Sequence, residues 1–207
     1  MIFFDKTQKL FRLETPNSSY RICITQKGYV SHAYYGAKIG NDDISYLTRQ
    51  FEYGFSNSDI FREKHSLLDF LPMEYPFDGV GDFRKSAIAI TNQNGNNAVE
   101  LKYKDYKIID GTVQLDGLPC VFGEKSSCQT LEIFTEDEVL GLEVILFYTV
   151  FEDNDAIVRS AKIINNNKNG ETVLIKKALS LSFDMDDDNF DMITLHGSWA
   201  RERHIDS

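Results

Sequence analysis

Carboxylates are the most abundant reactive groups in this chain, with 32 Asp and Glu among 207 residues. Two of them flanking a sugar linkage could split it, one as acid and the other as base or nucleophile. No spacing in the sequence picks out such a pair. Most of the acids fall in turns or on the polar side of alternating stretches, where solvation accounts for them. The densest run, Asp184-Met185-Asp186-Asp187-Asp188, opens like a calcium loop. An EF-hand loop needs Gly at its sixth position and Glu at its twelfth. Counted from Asp184, those positions hold Asn189 and Leu195, so the run reads as a solvated acidic turn between strands.

The other reactive side chains are scattered. His32, His65, His196 and His204 show no H-E-x-x-H or paired-ligand spacing, so each reads as a surface or half-buried residue and no metal is implied. Cys23, Cys120 and Cys128 lack the C-x-x-C spacing of zinc or thioredoxin-like sites. Cys23 reads as a buried or half-buried thiol, and Cys120 with Cys128 would pair only in an oxidising compartment. No Ser stands in G-x-S-x-G. Gly79-Val80-Gly81 lacks the third Gly and the preceding strand of a dinucleotide fingerprint. No cofactor is implied.

Trp199 is the one tryptophan, in Gly197-Ser198-Trp199-Ala200-Arg201-Glu202-Arg203 just past an expected strand. A broad, rigid indole on a loop can stack on the apolar face of a sugar. It can equally plug the end of a sandwich, with the Arg-Glu-Arg triplet as surface charge.

The elements that would position these groups are strands, because the dominant hydrophobic period is two. Tyr20, Ile22 and Ile24 alternate with Arg21, Cys23 and Thr25; Gln26-Lys27-Gly28 turns the chain, and residues 29–35 return. Residues 87–91 alternate and run into Asn92-Gln93-Asn94-Gly95, a hairpin signal that makes residues 99–109 the expected partner strand. Leu131 and Ile133 open another strand. Residues 142–150 are apolar on both faces, as in a central strand covered on both sides. Residues 156–165 and 172–183 carry two more, separated by an Asn-rich turn. Residues 58–71 have only a partly helical spacing and predict at most a short helix or loop. The sum is one all-β domain over residues 1–207, an antiparallel β-sandwich with no helix longer than about three turns.

Composition agrees with a globular chain: 42% hydrophobic and 26% charged. A formal charge of −10 argues against a nucleic-acid partner, since phosphate binding needs a basic face. No apolar run approaches the ~20 residues of a membrane span. The start, Met1-Ile2-Phe3-Phe4-Asp5-Lys6, has no basic region and no long apolar run. Together with reduced thiols, this makes the cytoplasm the expected location.

Several stretches, in order along the whole chain, resemble the amino-terminal β-sandwich of retaining α-galactosidases of glycoside hydrolase family thirty-six. They are Tyr34-Tyr35-Gly36, Leu71-Pro72-Met73-Glu74-Tyr75-Pro76, Gly81-Asp82-Phe83-Arg84, Leu115-Asp116-Gly117-Leu118-Pro119 and Thr130-Leu131-Glu132-Ile133. Gly141-Leu142-Glu143-Val144, Tyr148-Thr149-Val150-Phe151-Glu152-Asp153, Ile157-Val158-Arg159-Ser160 and the stretch from Gly197 to His204 complete the set. The resemblance implies a galactose-mutarotase-like supersandwich, cut short on its carboxy-terminal side at Ser207. It implies a parent enzyme whose catalytic aspartates lie at strand ends of a (β/α)₈ barrel, so that this chain alone would be inactive.

By the same resemblance, Trp199 contacts substrate in the galactose pocket and Arg62 is a candidate for a second contact. Leu47-Thr48-Arg49 carries Thr where the family's acid is familiar. The implied partners are α-galactoside sugars of the raffinose and melibiose type, the barrel, and sister subunits of a tetramer. A stand-alone carbohydrate-binding module and a purely structural sandwich are the alternatives.

Overall fold

The computed structural model describes residues 1–48, 51–52, 65–66, 72–79, 84–185 and 189–206. Two antiparallel meanders make up most of it. The first runs β1 (Ile2–Asp5), β2 (Leu10–Glu14), β3 (Ser18–Ile24) and β4 (Val30–Ala37), each paired with the next. After it come a single 3₁₀ turn at Ser45–Thr48 and the two-residue strands β5 (Phe51–Glu52) and β6 (His65–Ser66), which pair with each other. No α-helix occurs among the described residues. The expectation for residues 58–71 lies outside the described residues except at the β6 pair.

β7 (Ile88–Asn92) stands between the meanders in sequence. The second meander is β8 (Lys102–Asp110), β9 (Cys128–Asp137), β10 (Leu142–Phe151) and β11 (Ile157–Asn165). β12 (Val173–Ala178) pairs with β7, and β13 (Thr194–Ser198) pairs with β14 (Arg201–Asp206).

The two meanders face each other across one apolar core. Phe11, Leu13, Tyr20 and Ile22 from the first meet Leu131, Ile133, Leu146 and Tyr148 from the second, all buried. Phe4 and Tyr106 pack at a tilt across the gap, with 4.7 Å between ring centroids, and Ile2 N–H donates to Gln129 Oε1 at 3.0 Å. This is an antiparallel β-sandwich. β10 lies between β9 and β11 and buries both faces, Val144, Leu146 and Tyr148 on one and Ile145 and Phe147 on the other. That matches its doubly apolar sequence.

Local chemistry closes the turns. Gly28 adopts φ +86°, and its N–H donates to Thr25 O at 3.0 Å, joining β3 to β4 as the sequence predicts. Asp137 is buried and accepts Val139 N–H and Leu140 N–H on one oxygen and Glu100 N–H on the other, which pins the β9–β10 turn to the segment before β8.

Two strand expectations need correction. Residues 99–109 do not return beside β7. Asn92 closes its own turn by accepting Asn94 N–H and Asn96 N–H, while Val99 N–H goes to Asp78 O and Tyr103 N–H to Gly28 O. Val99 and Leu101 sink into the core, β8 joins β9, and β12 takes the place beside β7. The strand expected over 172–183 stops at Ala178, after a bulge between Ile175 and Lys177, although Leu179 N–H still reaches Ala87 O. β1 and β2 were not expected at all.

Candidate functional site

Two assemblies stand out among the described residues, a buried acid–base network and an exposed ribbon. The network centres on Glu74, in the segment that leads from the first meander toward β7. Its side chain is wholly buried between the sheets. Tyr20 OH donates to Oε1 at 2.8 Å and Tyr148 OH to Oε2 at 2.7 Å. Arg159 lies 2.9 Å from Oε2 and also donates to Glu74 O at 3.0 Å, and His32 Nδ1 lies 3.2 Å from Oε1.

Burial alone would push the Glu74 carboxyl up. The Arg159 cation and the His32 and Tyr148 hydrogen bonds outweigh it and hold the group below its ordinary value. Burial, reinforced by the Glu74 charge, raises both tyrosines. Burial works against the Arg159 charge as well, and the Tyr148, Glu74 and Tyr20 oxygens overcome it. Arg159 also lies over the Tyr148 ring, 4.7 Å from its centroid. Both Glu74 oxygens are engaged and neither meets solvent, so this acid cannot reach a substrate. It ties the 72–78 segment to β3, β4, β10 and β11 at once. His32 also lines an open cleft with Tyr35, Phe183, Arg84 and Asp184.

The ribbon β13–β14 is different in kind. All its residues are exposed, including Leu195, Ile205 and Trp199. Its tip is built for a tight bend. Gly197 sits so close to the Arg201 carbonyl and the Glu202 backbone that no Cβ would fit. The register shifts between His196 and Ser198, so two residues of β14, Glu202 and Arg203, oppose Gly197. Ala200 and Arg203 adopt φ +63° and +60°, the left-handed region that residues with a Cβ rarely occupy. Ala200 N–H donates to Glu202 Oε1 at 3.0 Å. Trp199 stands at this tip with 95% of its surface exposed. It therefore does not plug the sandwich end in this chain.

Arg62 lies outside the described residues. Asp184 carries the start of the acidic run and pairs with Arg84 at 3.7 Å; residues 186–188 lie outside the described residues. The three cysteines are free thiols, Cys23 and Cys128 buried and Cys120 half-buried. No cluster of three metal-ligating side chains occurs among the described residues. Glu74 and Arg159 stand in two separate motifs of the sequence, and only the fold brings them together. The available signal was an acid enclosed by Pro72, Met73, Tyr75 and Pro76.

The chain belongs to glycosyl hydrolase family 36, whose N-terminal domain model matches residues 28–207. It is 37% identical over 207 residues to α-galactosidase Mel36A of Lactobacillus acidophilus, covering 99% of this chain and 28% of that protein. The crystal structure of α-galactosidase AgaB from Geobacillus stearothermophilus superposes with a TM-score of 0.88 at 34% identity, covering all of this chain and 28% of the other. A variant of α-galactosidase AgaA from the same organism, solved in complex with raffinose, gives 0.86 at 35% identity, over 96% of this chain and 27% of that one. The chain thus spans about a quarter of the length of the curated relatives it matches.

Proposed function

We propose that this chain serves as the amino-terminal sandwich of a cytoplasmic, retaining α-galactosidase that removes terminal α-galactosyl groups from raffinose- and melibiose-type sugars. The bond-breaking carboxylate pair would come from the barrel of the parent enzyme, so the 207-residue chain by itself is inactive. Its contribution is to hold Trp199 at the galactose pocket, with Arg62 as a second contact, and to offer loops to sister subunits of a tetramer.

One observation carries the reading. The only tryptophan stands almost fully exposed on a bulged tip held by two left-handed residues that are not glycine. Such backbone costs ~1–3 kcal/mol per residue and clusters at ligand clamps and active sites. An aromatic ring offered this way is a platform for the apolar face of a sugar. Leu195 and Ile205, exposed beside it, are the apolar surface a packed neighbour would cover.

The test compares the pure chain with the longer enzyme that contains it, using p-nitrophenyl α-galactoside. The chain alone should release no p-nitrophenol, while the longer enzyme should release it and retain anomeric configuration. Sustained turnover by the chain alone, or inversion by the longer enzyme, would overturn the proposal.

A further inference from the structure

We propose that His196 and His204 form an exchangeable site for a divalent transition-metal ion of the zinc, nickel or copper type on the β13–β14 ribbon. The two residues are eight positions apart in sequence, a spacing that signals nothing. The hairpin makes them direct cross-strand partners, with ring centroids 6.0 Å apart and planes 24° from parallel. Metal–nitrogen bonds of about 2.0–2.1 Å would set two imidazole centroids roughly 5–6 Å apart around one ion. The observed pair needs only rotation about its side-chain torsions to converge. Both rings are exposed, so nothing packed stands in the way.

One carboxylate shares the histidine face. Thr194 pairs with Asp206, and the two-residue period puts both on the same face as the histidines. Leu195 and Ile205 occupy the opposite face. A packing partner would thus cover the apolar side and leave the histidine side to solvent. Imidazole selects zinc, copper and nickel over magnesium or calcium. With two protein ligands the remaining positions fall to water, so the ion exchanges freely. Bound, it would join the two strands just behind the tip and hold Trp199 in place. A lone two-stranded ribbon is otherwise marginal in water.

Trp199 is the single tryptophan and lies three residues from His196, so it reports on the site directly. The experiment titrates the 207-residue chain with Ni²⁺ and follows tryptophan emission together with calorimetric stoichiometry. One equivalent should bind and quench the emission, and excess Zn²⁺, which does not quench, should displace it and restore the signal. H196Q and H204Q should each weaken Ni²⁺ binding at least about tenfold, because even residues outside the ligand shell change affinity by that factor. Both variants are exposed substitutions and should keep the parent circular dichroism spectrum. Undiminished quenching in the H196Q/H204Q double variant, or no saturable binding to the parent chain, would overturn the proposal.

Discussion

Glu74 and Arg159 meet at 2.9 Å although 85 residues of chain separate them, and the carboxylate between them has no contact with water. The pair bridges the segment before β7 and strand β11, and its hydrogen bonds to Tyr20 and Tyr148 reach both meanders. Removing either charge leaves the other buried without its counter-ion, although its neutral hydrogen bonds remain. E74Q should therefore destabilise the chain by about 3–5 kcal/mol, read as a lower urea midpoint. R159M should cost a similar amount, and the double variant should cost clearly less than the sum.

The same contact sets the acid limb of stability. The folded-state value of Glu74 lies below its ordinary 4.5, so the unfolded chain takes up a proton at a pH where the folded chain does not. The resulting stabilisation is complete above about 4.5 and fades as pH falls through the folded-state value. Urea midpoints between pH 6 and pH 3 should fall steeply for the parent chain. They should fall less steeply for E74Q, which carries no such proton linkage.

Two glycines separate the cost of a left-handed backbone from the cost of crowding. Gly95 has φ +79° and open space where a Cβ would stand. G95A should lose only about 1 kcal/mol, the backbone penalty alone. Gly141 has φ +66°, and a Cβ there would stand 2.9 Å from Asn167 Cα. G141A adds a backbone clash to the same penalty and should lose roughly 2–4 kcal/mol. Paired thermal melts give both figures.

Thiol reactivity should follow burial. Cys23 is buried and its thiol is pushed up to about 12 by burial, with the Glu74 charge adding to it. Cys128 is buried in the wall of β9 and is raised for the same first reason. Cys120 is half-buried on the loop before β9. At pH 8, a disulfide reagent should label Cys120 first, and the other two only as the chain unfolds. Simultaneous labelling of all three in native buffer would contradict this placement.

What could be read from the sequence was what is periodic. The alternation at Tyr20, Ile22 and Ile24 became β3, and the two apolar faces of residues 142–150 became the doubly buried β10. β1 and β2 escaped notice because Ile2-Phe3-Phe4 and Leu10-Phe11 are short apolar runs without alternation, and pairing onto β3 is what makes them strands. The β7–β12 pair joins Asn92 to Val173, too far apart for any local signal, whereas the Asn-Gly turn beside it was conspicuous and pointed to the wrong partner. Trp199 was legible as a candidate through its neighbours. The bulge that presents it and the His196–His204 pair behind it exist only once the ribbon closes.

If Trp199 serves the proposed sugar pocket and not the stability of the sandwich, two readings of W199A separate the roles: kcat/KM on raffinose in a longer enzyme that contains this chain, and the melting temperature of the 207-residue chain. A lost aromatic platform costs ~1–3 kcal/mol by analogy with base stacking, so kcat/KM should fall roughly ten- to hundred-fold. The melting temperature of the 207-residue chain should hardly move, since the side chain is 95% exposed there. Unchanged kinetics with a lowered melting temperature would rule out a pocket role and leave Trp199 a packing residue.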